Sequence, residues 1–297
     1  MPAEKAVTVV QSNKLIEARY SLTVGEARLI LAMVSHIKPT DTDFAEYKIP
    51  LAELARMFDL APSNIYGDID QITDKLMSRV LRIHQENGKT LKIQWICRAF
   101  HDTGSVTLSF VPDLKPYLLL LKREFTIIDL DAVKDFQSIY SIRLYQLLKQ
   151  YLSIGWREFG LDELKEILGL EKEQYSEYYN FKRRVIMQAQ KEMEAKDSKC
   201  DLTFQIETIK EGKKITRLRF IIVKRPVEQS QATQPVQKKA PDAKKRPPLP
   251  AEMQEFEQWL KENDAFMYGF MQEHGPNAHM VQAEYRNFLK RREALQG

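Results

Sequence analysis

One pattern of twelve residues occurs twice in this chain without a gap. Ile49 to Leu60 lies over Phe159 to Leu170; both copies contain Leu-x-Glu-Leu, and both keep apolar residues at matching places. The segments before them match more loosely, Arg28-Leu29 against Arg143-Leu144. Two short amphipathic helices can look alike by chance, but a shared order of elements on both sides points to duplication of one domain type. A chain of 297 residues has room for two such domains, each with its own core.

In the first half, Thr23 and Glu26 have capping-box spacing, and Val24, Ala27, Ile30, Leu31, Val34 and Ile37 recur at helical intervals until Pro39. A short strand with Tyr47 and Ile49 on one face leads into a helix carrying Leu51, Leu54, Ala55 and Phe58. A second helix runs from Pro62 to Val80, striped by Ile65, Ile69, Ile72 and Leu76, with Pro62 in a first turn where its missing N–H costs nothing. The period then drops towards 2. Val80 to His84 is a strand, Asn87-Gly88 is a hairpin turn, and Leu91, Ile93, Trp95 and Cys97 alternate beyond it. A reversal at Asp102-Thr103-Gly104 gives a further strand with Val106, Leu108 and Phe110 inward. Pro112 to Leu121 reads as a helix, and Phe125 to Leu130 as a strand or connector.

The second half repeats the order. Ser138 caps a helix marked by Ile142, Tyr145, Leu148 and Leu152, ending near Gly155, and Trp156 to Phe159 is extended. The segment Leu161 to Leu168 is stopped at Gly169, and a longer helix spans Tyr178 to Lys196. Two alternating runs, Leu202 to Ile209 and Ile215 to Val223, meet across a basic turn. Helix, turn, basic helix and basic hairpin is the order of a winged helix-turn-helix. The fold class is therefore α+β, with two tandem winged-helix domains over residues 8–135 and 136–225. Residues 226–250, rich in Pro, Gln, Lys and Ala, read as a disordered linker. Helical patterns return in 251–297, with Met253, Phe256, Trp259 and Leu260, then Phe266, Phe270 and Met271, then Val281, Tyr285, Phe288 and Leu289.

A helix entering the major groove needs cations for phosphates and polar side chains for base edges. The helix from Tyr178 supplies Tyr179, Asn180, Lys182, Arg183, Arg184, Gln188 and Lys191, while Phe181, Val185 and Ala189, with Ile186 and Met193, face the core. Arg suits guanine, and Asn or Gln suits adenine. The hairpin adds Lys210, Lys213, Lys214, Arg217 and Arg219 against one acid, Glu211. A charge run is by default a solvated face; two adjacent basic elements in winged-helix order favour double-stranded DNA. The matching helix of the first half balances Asp68, Asp70 and Asp74 against Lys75 and Arg79. That domain is the weaker reader, suited to backbone contacts through Arg79, Arg82 and Lys89 or to a protein interface.

Composition sets the bounds. A net charge of +4 permits nucleic-acid binding without arguing for it. Two widely separated cysteines, Cys97 and Cys200, fit a reducing cytoplasm and no metal site. The start shows no signal-peptide pattern, and the longest apolar cluster, Tyr117 to Leu121, is too short to cross a bilayer, which gives a cytoplasmic protein away from membranes. Enzyme readings are weak. The five histidines contain no His-x-His pair, and no phosphate-loop motif exists. Asp129 and Asp131 are the one candidate carboxylate pair for a metal-dependent nicking or polymerase-type enzyme, and Asp131 more simply caps the next helix. No cofactor is expected.

Val10 to Leu22, Ile142-Arg143-Leu144-Tyr145 and the Tyr179 to Lys191 helix resemble iteron-binding plasmid replication initiator proteins, over about Val9 to Val223. The resemblance implies monomers that bind repeated origin sites, promote duplex opening and recruit host replication proteins. It also implies dimers paired through the first domain that bind an inverted repeat and repress their own gene. By motif match, the principal major-groove contacts fall on the helix with Lys182, Arg183 and Arg184. A winged-helix repressor without an initiation role is the alternative. The chain departs from the family core after Pro226.

Overall fold

The computed structural model describes residues 7–57, 61–85, 87–121, 123–171, 173–225 and 251–263, with Tyr285 and Phe288, and only the backbone for 62–68, 251, 252, 262 and 263. It divides into two compact units, 1–230 and 231–297. The expected linker, the tail positions Phe266, Phe270, Met271, Val281 and Leu289, the residues Phe58 and Leu60, and the side chain of Ile65 lie outside the described residues.

The first unit opens with β1 (Thr8–Ser12) and a single turn, α1 (Asn13–Ile16), capped by the Ser12 hydroxyl, which accepts from Leu15 N–H. In α2 (Val24–Ser35) the expected capping box is formed: Thr23 Oγ1 accepts from Glu26 N–H, and Glu26 Oε2 accepts from Thr23 N–H. Then follow β2 (Tyr47–Pro50), α3 (Leu51–Met57) and α4 (Pro62–Ser78). Next come β3 (Leu81–His84), β4 (Thr90–Ile93), β5 (Ile96–Asp102) and β6 (Ser105–Phe110). The alternation expected from Leu91 to Cys97 is split, because β4 pairs with β3 whereas Ile96 already pairs with Phe110.

The helix expected over Pro112 to Leu121 is shorter. A 3-10 turn, Pro112–Leu114, passes into α5 (Lys115–Leu118), and Leu120 sits at φ 50. A left-handed residue cannot continue a right-handed helix, so the chain turns away there. After it, β7 (Phe125–Asp129) pairs antiparallel with β1, Thr8 facing Asp129. Short α6 (Leu130–Val133) then leads to α7 (Ile139–Lys149), where Ser138 Oγ accepts from Tyr140 N–H as the sequence indicates.

The second copy consists of β8 (Trp156–Gly160), α8 (Leu161–Ile167), α9 (Tyr178–Phe181), a π turn at Lys182–Ile186, α10 (Met187–Met193), β9 (Leu202–Glu211) and β10 (Lys214–Lys224). The expected helix over Tyr178 to Lys196 thus ends at Met193 and contains one widened turn. The two copies have the same sheet. The orders β2-β6-β5 and β8-β10-β9 both place the last strand of the hairpin in the middle, paired with the strand before the first short helix. Ile49 faces Val106 in one and Phe159 faces Leu218 in the other, and all four are buried. The sequence repeat is therefore a repeat of topology, with the β3–β4 hairpin inserted in the first copy.

The segment 11–22 lies along the second copy. Gln146 Nε2 donates to Gln11 Oε1 at 3.2 Å, Arg157 donates to Glu17 Oε1 at 2.6 Å, and Arg143 donates to the Ala18 carbonyl at 2.8 Å. Trp95, 1% exposed, meets Tyr20 edge-on with centroids 5.0 Å apart. In the second unit α11 (Ala251–Asn263) buries Phe256 and Leu260, and Phe256 stacks on Trp259 and touches Tyr285 and Phe288. Among the described residues no helix is long and apolar enough to cross a membrane.

Candidate nucleic-acid interface

The basic helix is seated by its apolar side. Phe181, Val185, Ile186, Ala189 and Met193 are all fully buried, as the sequence pattern requires. Lys165 steadies the entry, donating to the Tyr175 carbonyl at 2.9 Å with its ammonium 5.5 Å from the Phe181 ring. On the outer side Tyr179 is 67% exposed, and the Arg183 guanidinium lies 5.7 Å from its ring centroid. Such a contact adds about 0.5–1 kcal/mol at an exposed site and limits where the guanidinium points. Arg184 and Lys191 are exposed and Lys182 half-buried, and none of the three makes an ion pair among the described residues.

Two of the polar candidates are held from behind. Asn180 Nδ2 donates to Glu177 Oε2 at 3.1 Å. Gln188 Nε2 donates to Glu192 Oε1 at 2.7 Å, and the other Glu192 oxygen accepts from the Gln137 and Ser138 amides at the start of α7. The bond orients the Gln188 amide from a carboxylate that also caps α7 and leaves its oxygen and second N–H for a base edge. Met187, at 50% exposure, sits on the outer face between Arg183 and Lys191. The sequence reading passed over it because methionine carries no charge and fits a core pattern equally well.

The β9–β10 hairpin is the wing. Gly212, at φ 63, makes its tip, with Lys210, Lys213 and Lys214 exposed around it. Lower down, Arg217 and Arg219 are not free cations. Both pair with Glu158 of β8, at 2.9 Å each, and Arg219 lies 3.7 Å from Glu207 and 5.4 Å from the Trp156 ring centroid. Counting Glu211 alone as the wing's acid was therefore incomplete. Glu158 is far away in sequence and becomes a neighbour only through the β8–β10 pairing.

In the first copy the residues separate. Arg79 grips the fully buried Glu26 with two hydrogen bonds, 3.0 and 3.1 Å, tying the end of α4 to the capping box of α2. Arg82 is exposed on β3 directly across from exposed Lys92, and Lys89 is exposed beside the Asn87-Gly88 turn. The inserted hairpin thus presents Arg82, Lys89 and Lys92 together; the sequence reading had not included Lys92. His101 accompanies Thr73 at 3.1 Å and Asp70 at 3.6 Å.

The carboxylate pair considered for metal chemistry is otherwise engaged. Asp129, rather than Asp131, caps α6, accepting from Asp131 N–H at 2.9 Å, while Asp131 lies 3.4 Å from Lys199. Burial pushes the Asp129 carboxyl above the usual range. Among the described residues no three His, Cys, Asp or Glu side chains gather as a metal site. His274 and His279 lie outside them. Cys200 is buried, its thiol pushed up to about 12 by burial, and Cys97 is exposed.

Comparison with known proteins gives concordant matches. Residues 8–149 match the model of the initiator replication protein WH1 domain, and residues 160–222 that of the initiator Rep protein WH2 domain. Over 187 residues the chain is 32% identical to a replication initiation protein of Escherichia coli, covering 60% of this chain and 58% of that relative. The chain therefore spans somewhat under two thirds of that relative's length. The fold is similar to that of the Pi initiator protein, solved in complex with iteron DNA, with a TM-score of 0.62 at 23% identity, over 75% of this chain and 100% of that one.

Proposed function

This chain belongs to the initiator replication protein family, its WH1 and WH2 models together matching more than half of it, and from that premise we propose that it is a sequence-specific, DNA-binding initiator of plasmid replication. The observation that carries the reading is the seated basic helix. Five buried apolar residues fix its inner side, and Tyr179, Arg183 and Lys191 stand exposed on the outer one. A helix so presented, next to a lysine-tipped wing, matches what reading a major groove between two phosphate strands requires.

In this proposal the second winged helix is the main reader. Arg183 and Arg184 reach base edges, Asn180 and Gln188 assist with the amide oxygen and N–H that Glu177 and Glu192 leave free, and Lys182, Lys191, Lys210, Lys213 and Lys214 hold phosphates. Arg217 contributes as a half-neutralised cation. The first winged helix adds backbone contacts through Arg82, Lys89 and Lys92, and provides the surface by which monomers pair. Arg79 acts there as a brace. The protein works in the cytoplasm without enzymatic chemistry: it binds repeated sites at an origin, helps open the duplex, recruits host replication proteins, and as a dimer represses its own gene from an inverted repeat.

Footprinting of the DNA beside its own gene tests this. Direct repeats spaced by about 20 base pairs, roughly two helical turns, are the expected protected sites. Protection of a lone inverted repeat, with no repeated sites elsewhere, would leave a repressor and remove the initiator.

A further inference from the structure

The widened turn inside the basic helix has a geometric effect on its outer face. Met187 N–H bonds to the Lys182 carbonyl, five residues back, in place of the usual four. In an unbroken α-helix, residues four apart drift about 40° around the axis with each step. The π turn takes up that advance. Val185 and Ile186 are both buried with Phe181 and Ala189, while Tyr179, Arg183, Met187 and Lys191, each four residues from the next, all lie on the exposed side. Exposure is 67% for Tyr179 and 50% for Met187. Half the surface of an apolar side chain is thus held in water, in the middle of a row otherwise made of polar and cationic groups.

Resting on the proposal that this helix enters a major groove, we propose that Met187 is a specificity-determining residue that reads a thymine by its C5-methyl group. In the major groove that methyl is the apolar group that a base edge presents. A flexible, polarizable thioether fits against it without needing fixed geometry. Met187 lies about 6 Å along the axis from Arg183, close to two base-pair steps, so the thymine belongs within about two pairs of the base Arg183 reads.

The test uses the full chain and duplexes carrying the repeats found beside its gene, with each thymine replaced in turn by deoxyuridine, which lacks only the methyl. Wild type should lose about three- to fivefold in affinity at one such position, the size expected for one buried methyl. Met187→Ala should lose the same factor on the unmodified duplex and be indifferent to uracil there. The uracil profile of Met187→Ala matching that of wild type would overturn the methyl contact. Arg183→Ala, run in parallel, separates the two levels: if it binds like wild type the helix assignment itself falls, whereas its loss of binding with a shared uracil profile removes the Met187 reading alone.

Discussion

Arg28 and Arg143 occupy matching places in the two copies and do matching work. Arg28 donates to the Lys134 and Phe136 carbonyls, and Arg143 to those of Ala18 and Ile167, so each first helix holds a strand of chain that runs past it. Arg143 is 1% exposed, and its burial pushes the guanidinium below the usual arginine range while it lies 3.9 Å over the Tyr20 ring. The same contact region requires Gly169. At φ 73 it favours glycine, and a Cβ there would stand 2.2 Å from the Tyr20 carbonyl oxygen. Gly169→Ala should therefore destabilise the protein by roughly 2–4 kcal/mol, combining backbone strain with overpacking. Urea unfolding measures it; an unchanged midpoint would mean that the segment 18–22 does not pack there. The sequence marked Gly169 only as a helix stop. Its second role rests on a neighbour about 150 residues away, which no local pattern encodes.

At the level of elements, what the sequence disclosed and what it hid follow from range. Capping at Thr23 and Ser138, the Asn87-Gly88 and Asp102-Thr103-Gly104 reversals, and the buried stripe of the basic helix are all written in residues a few positions apart, and all are present. The β1–β7 pair joins residues over 110 positions apart and was invisible to periodicity. The π turn was equally hidden, since Phe181, Val185, Ile186 and Ala189 also satisfy a plain helical pattern. The partnership of Glu158 with Arg217 and Arg219 depends on strand register and gives a prediction about the wing. Lys213→Ala should weaken all DNA sequences alike and lower the salt slope by about one, whereas Glu158→Gln, which removes the carboxylate shared by Arg217 and Arg219 and leaves Arg219 only Glu207, should steepen it by about one. Salt titrations of the two variants decide this, with thermal melting as the control for fold. An unchanged slope in Glu158→Gln would place the two arginines away from the phosphates.

At the level of the whole molecule, the duplicated domain has diverged in charge. The second copy leaves its outward cations unpaired on the helix and at the wing tip. The first turns Arg79 inward to Glu26 and presents its cations on the inserted hairpin instead. This asymmetry supports giving the two domains different tasks, and it was partly legible from Asp70 and Asp74 in the first copy's helix. The braces at Gln11, Glu17 and Ala18 make the two copies one compact unit, with the helical tail a separate one. The central claim is that the second copy's helix reads base sequence, and Arg183→Ala tests it most directly. Affinities of wild type and variant are measured on a repeat-bearing duplex and on a scrambled duplex of equal length, at the same salt. The variant should lose about 1–3 kcal/mol on the repeat and much less on the scrambled duplex, so that its preference for the repeat collapses. Equal losses on both duplexes, or none on either, would contradict the assignment of this helix as the reader.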